Sequence, residues 1–298
     1  MFPEHKLSSA IMNRIEIIRD GLANKTTINI ILQGRLWQVE YLVIPAMSEE
    51  GNKLPPIFNY PGGMTHFLPC IEPFLFLDRR SIHISPLGYG NSSDIPGWFF
   101  RNEPYHGAKV ALQVLKSLGE EDIIVYGHSN ASSIVLQTAI WANEYGIKIR
   151  EIYLVNPLGL RKIPVAWAAL AFPVSGTLSR ALSWRHESPF DFLKEYYRAP
   201  KHSFSFWKIW YELRKSSEGR LPDMFKKMQG LGLKIPVTII QGDWDWASFH
   251  APWSRSNWEI LQENISPGLL GMQYLSGLHN VTLGKDSEYL ARVMERSL

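Results

Sequence analysis

Apolar positions along the chain fall into two rhythms. In the first they recur every three or four residues. Ile11, Ile15 and Ile18 form such a stripe near the N-terminus, and "KVALQVLKSLG" sets Val110, Val114 and Leu115 on another, with Gly119 where a helix would stop. "DSEYLARVMERSL" reads the same way at the end of the chain, with Asp286 or Ser287 as its cap. In the second rhythm the apolar positions alternate or run without a break. "TTINIIL" and "LWQVEYLVI" are strand-like, the latter with Trp37, Val39, Tyr41 and Val43 on one face. Six short apolar runs then follow: "PPIFNY", "SIHISP", "DIIVYG", "REIYLVN", "PVTIIQG" and "GMQYLSG". Unbroken apolarity predicts strands covered on both faces, as in a parallel sheet. Strands alternating with helices predict a mostly parallel, doubly wound α/β fold.

The rhythm lapses between Gly159 and Lys234, where no clear strand occurs. Ser188-Pro189 is a helix-start signal there. Aromatic residues such as Trp167, Phe172, Trp184, Trp207 and Trp210 crowd the block. It reads as a helical cap, residues 159–231, inserted into a core made of residues 1–158 and 232–298. Its expected place is the C-terminal edge of the sheet, where open α/β sheets bind ligands.

Composition adds exclusions. In a chain of 298 residues, 45% hydrophobic, a large core is easily filled. Lys and Arg number 31 against 28 Asp and Glu, and no basic run marks a nucleic-acid partner. Cys70 is the single cysteine, which excludes an internal disulfide and fits a reducing compartment. The N-terminal stretch has no basic segment leading into an apolar core, so no secretory leader is expected. The longest apolar run, "IPVAWAALAFPV", holds two prolines and falls short of the roughly 20 residues that span a bilayer. The expectation is a soluble, cytoplasmic protein. The same run docked on a membrane surface is the alternative to a helix packed over a pocket.

The candidate chemistry sits in "IIVYGHSNASSIVLQTAIWA". A strand leads through Gly127, His128, Ser129, Asn130 and Ala131 into a helix. Strand, G-x-S-x-[GA], helix is the pattern of a nucleophile elbow, a strained turn that lifts a serine hydroxyl above the sheet. Positions two before and two after the serine must be small, and Gly127 and Ala131 are. The helix start aims the Asn130 N–H and the positive end of the helix dipole at the same spot, which suits a developing oxyanion. A serine also needs a base. Of nine histidines, His279 in "YLSGLHNVTL" lies in a loop between the last strand and the last helix. His128 adjoins the serine and should point away; His66, His83, His106 and His250 are weaker choices. The base needs a carboxylate. "IPVTIIQGDWDWAS" offers Asp245, with Asp243 as the alternative, directly after a strand. A second oxyanion donor is expected from "NYPGGMTHF", with the Gly63 N–H preferred.

With these residues in place, nearly the whole chain resembles the α/β-hydrolase superfamily. The order Ser129, Asp245, His279 is the order found there. "ISPLGYGNSSD" is similar to that superfamily's D-x-x-G-x-G-x-S segment: Gly88, Gly90 and Ser92 match, and Ser85 replaces the usual Asp. Pro61 stands where many members have His, and Ala131 where most have Gly. The resemblance implies a covalent serine mechanism with no cofactor and no metal. The expected substrate is a small or medium apolar ester. A thioesterase, lactonase, amidase or carbon–carbon bond hydrolase shares the same triad, and a non-catalytic binding protein of the same fold is the rival from another class.

Overall fold

The computed structural model describes residues 9–24, 26–62, 70–95, 103–162, 164–166, 214, 218–242, 259–266, 268–275 and 285–297. Among them are eight strands: β1 (Thr27–Leu32), β2 (Arg35–Ile44), β3 (Ile57–Tyr60), β4 (Ser81–Ile84), β5 (Asp122–His128), β6 (Lys148–Val155), β7 (Val237–Gly242) and β8 (Leu270–Leu275). Every strand-like run of the sequence is accounted for. They form one sheet in the order β1-β2-β4-β3-β5-β6-β7-β8. The β1–β2 hairpin and the β2–β4 pair are antiparallel, and all other neighbours are parallel. After β3 the chain steps outward on one side to β4 and then on the other to β5. That reversal opens a crevice at the strands' C-terminal ends.

Helices among the described residues include α1 (Ser9–Asn24), α2 (Glu49–Lys53), α3 (Glu103–Ser117), α4 (Ala131–Trp141), α5 (Leu221–Gly230) and α6 (Lys285–Ser297). β5 shows why its sequence is apolar without a break. Ile123 and Val125 enter the core shared with α3, α4 and α5, whereas Ile124 and Tyr126 enter the one shared with α6. Each face has its own cover, so both side-chain sets leave water. Val110, Val114 and Leu115 of the expected α3 stripe are buried, as are Ile15 and Ile18 of α1. α1 is locked by Arg14, whose guanidinium donates to the carbonyls of Pro45, Phe74, Leu75, Leu77 and Arg79.

Three details differ from the sequence reading. β2 is covered on both faces: Trp37 and Val39 join one core, and Leu42 and Ile44 join another. Glu40 is buried as well. α6 begins at Lys285, so Asp286 and Ser287 lie inside its first turn rather than capping it, and Ser287 is fully buried. Leu221, Phe225 and Met228 of α5 belong to the main core. The helix at the end of the expected cap block therefore packs with the sheet. The Ser188-Pro189 helix start and the block's aromatics lie outside the described residues. Among the described residues no helix is long and apolar enough to cross a membrane.

Candidate active site

Ser129 follows the last residue of β5 with φ at 59°, in the left-handed region that a residue with a Cβ seldom occupies. Its backbone polar groups hold it there. The amide donates to Val155 O at 2.9 Å. The carbonyl accepts from Ser132 N at 3.2 Å, Leu158 N at 3.3 Å and Ser132 Oγ at 2.8 Å. A strained conformation persists only where its surroundings over-determine it, and such places cluster at functional sites. Asn130, in right-handed helical geometry, caps α4. Its amide thus stands at the start of a helix that runs 11 residues.

Gly127, one of the two small residues expected around the turn, is needed there. A Cβ on Gly127 would come within 2.8 Å of Val135 Cγ2 and 3.2 Å of the Ala131 carbonyl carbon and oxygen. Strand and helix backbones nearly touch at that point, and only hydrogen fits between them. The turn after β3 comes equally close. A Cβ on Gly62 would stand 3.2 Å from Ser129 Cβ and 3.0 Å from the His128 carbonyl oxygen. Tyr60 pairs with Gly127 across the β3–β5 ladder, so Gly62 and Ser129 flank the crevice where the strand order reverses. The His128 Nδ1 lies 3.9 Å from the buried Cys70 Sγ, and a Cβ on Gly62 would stand 3.2 Å from the same nitrogen.

The structure therefore brings Ser129, Asn130 and Gly62 together. Gly63, Asp243, Asp245 and His279 lie outside the described residues, as do His66 and His250. Gly242, which precedes Asp243, ends β7 on the same sheet edge. The other two histidines considered are engaged elsewhere. His83 Nδ1 is 2.9 Å from Asn59 Nδ2, and His106 Nε2 is 3.0 Å from Gln33 Nε2. Among the described residues no group of three or more His, Cys, Asp or Glu could hold a metal ion.

Two residues that the sequence did not single out organise the surroundings. Glu40, reaching from β2, accepts from Ser85 Oγ at 2.6 Å and from the Asn91 amide at 3.0 Å, and it also accepts from Asn91 Nδ2. It supplies from a neighbouring strand the carboxylate that Ser85 lacks. Gly90 makes room for it: φ is 57°, and a Cβ there would stand 2.1 Å from Glu40 Oε2. The available signal was a charged residue inside "VEYLVI", a stretch otherwise apolar on both faces. Asn156, fully buried at the end of β6, is the second; its Oδ1 accepts from the Gly242 amide at 2.7 Å. Its signal was the lone polar residue closing "IYLVN".

No protein-family model matches the chain, and no curated protein matches it in sequence. Solved structures do match in fold. A thermophilic esterase from Thermogutta terrifontis superposes with a TM-score of 0.59 at 15% identity, over 91% of this chain and 97% of that one. The enol-lactonase from Burkholderia xenovorans LB400 gives 0.60 at 15% identity, over 90% and 98%. A monoacylglycerol lipase from Paleococcus ferrophilus gives 0.58 at 16% identity, over 87% and 97%. The chain has the α/β-hydrolase fold.

Proposed function

We propose that the protein is a serine hydrolase acting through an acyl-enzyme. The observation that carries this reading is the left-handed Ser129 at the turn from β5 into α4, beside Gly62 at the reversal of strand order. A side chain held under backbone strain at the mouth of a crevice, against a helix N-terminus, is built for attack on a carbonyl. Ser129 Oγ adds to the carbonyl carbon while His279 takes its proton. Asp245, or Asp243 in its stead, holds the imidazole in the required tautomer. The Asn130 and Gly63 N–H groups bind the oxyanion, and each such donor contributes about 10²- to 10³-fold in rate. His279 returns the proton to the leaving group. Water, deprotonated in turn by His279, then releases the acid and frees the serine.

The substrate in this reading is a small or medium apolar ester, drawn to the aromatic residues of the inserted block. The part of that block assigned to the cap is residues 163–217, because α5 packs in the core and the chain pairs with itself at Lys162 and Glu218. A fluorophosphonate probe tests the mechanism. The wild type is expected to be labelled and Ser129→Ala not; a folded wild type that stays unlabelled sinks the proposal. A series of p-nitrophenyl esters tests the substrate class, with turnover expected to rise with acyl chain length.

A further inference from the structure

The end of β6 contacts both the serine turn and the end of β7. Val155 and Leu158 bind the amide and carbonyl of Ser129, as described above. Asn156, between them, turns to the other side. Its amide donates to Ile240 O at 2.8 Å, and its Oδ1 accepts from the Gly242 amide at 2.7 Å. Gly242 is the last residue of β7, and Asp243 follows it.

The need for a side chain here has a plain cause. The β6–β7 ladder ends at the Val155–Ile240 pair. Asn156 leaves the strand with φ at 45°, so its own carbonyl no longer continues the ladder. The Gly242 N–H is buried and must find another acceptor. Asparagine meets both demands: it tolerates the left-handed backbone better than most residues, and its short amide ends in an acceptor oxygen. The donor it meets is a backbone N–H, which fixes the orientation of the amide.

We infer that Asn156 is a positioning residue whose side-chain oxygen fixes the end of β7, directly before Asp243, relative to the serine turn. The inference rests on the hydrolase reading above. The end of β6 then ties the serine turn after β5, through Val155 and Leu158, to the end of β7, through Asn156. A triad tolerates displacements of only about 0.5 Å, so slack at Gly242 would loosen the imidazole's partner and slow proton transfer without weakening substrate binding.

Asn156→Gly and Asn156→Asp separate the two demands. Glycine keeps the left-handed backbone and removes the acceptor; aspartate keeps both. Three quantities are read: the rate of fluorophosphonate labelling, kcat and KM on p-nitrophenyl butyrate, and amide hydrogen exchange at Gly242 by NMR. Complete disruption of the acid's role in a triad costs about 10⁴-fold. N156G is therefore expected to lose about 10- to 100-fold in kcat and labelling rate, with KM within about twofold and faster exchange at Gly242. N156D is expected to recover most of the loss. Should N156G not fold, Asn156→Ser, whose hydroxyl is too short to reach Gly242, carries the same expectation. A labelled wild type beside an N156G as fast as wild type overturns this inference alone. Equal impairment of N156G and N156D with unchanged Gly242 exchange does the same. A wild type that the probe does not label overturns the hydrolase reading and this inference with it.

Discussion

His83 has no exposed surface and lies edge-on to the Phe74 ring at 4.7 Å. Its nitrogens meet Asn59 Nδ2 and Ser81 Oγ, at 2.9 and 2.8 Å. Burial, and then the positive charge of Arg14, push its pKa from 6.5 down to about 3. The ring stays neutral in the folded protein over a range where the unfolded chain takes up a proton. Its contribution is complete above pH 6.5 and is lost progressively as the pH falls toward 3, at about 1.4 kcal/mol per pH unit. Between pH 7 and pH 5 that amounts to roughly 2 kcal/mol. In urea unfolding at both pH values, His83→Gln is expected to lose less stability on acidification than wild type, by about this amount. Equal losses in the two proteins would mean that the buried ring accepts a proton without unfolding. Arg14 is the opposite case, a buried cation held by carbonyl oxygens of Pro45 and of the 74–79 segment, so it is a cross-link first and a charge second.

Between elements, the link from β2 to the loop after β4 has the most to explain. Ser85 N donates to Glu40 O, Glu40 N to Ser92 Oγ, and Ser92 Oγ to Ser85 O, and the Glu40 carboxylate closes the set. Glu40→Gln turns one acceptor into a donor facing donors, which should cost about 2–3 kcal/mol. Ser85→Asp alone sets two carboxylates side by side and should also destabilise. Together the changes move the carboxylate from β2 to the loop and should recover at least half the loss, a coupling that a double-mutant cycle in urea detects. Simple addition of the two effects would show that the carboxylate is not interchangeable between the sites. The same network marks where sequence reading stops. Apolar runs and the α3 stripe revealed the strands and helices because burial on a face repeats with a fixed period. Ser129 and Asn130 were legible because a strand–serine–helix turn demands small neighbours. Glu40 and Asn156 follow no period. Each is buried because a partner distant in the chain needs an acceptor, and a local pattern carries no trace of that partner. The sequence places α5 in the cap for a related reason: its apolar face fits a cap or a core equally well, and only the α4 packed against it decides.

At the scale of the molecule, the block between β6 and β7 leaves and re-enters the core at one place. Lys162 and Glu218 form an antiparallel bridge, and Gly159 O accepts from Leu221 N at 3.0 Å. A Cβ on Gly219 would stand 2.6 Å from Lys162 N, so the two stems are in close contact. Leu158, just before the first stem, binds the Ser129 carbonyl, and Leu221, just after the second, is buried in the core. Contacts among the described residues therefore hold the two stems together. Replacing them with a short Gly/Ser loop shortens the closed segment, and loop-closure entropy changes only slowly with length. The shortened protein is expected to unfold cooperatively and to keep fluorophosphonate labelling at Ser129. Its turnover of p-nitrophenyl esters should lose the dependence on acyl chain length, since the aromatic residues proposed to meet the substrate are gone. A shortened chain that no longer unfolds cooperatively would make 163–217 part of the core. One that folds but is no longer labelled would instead assign that segment a share in activating the serine.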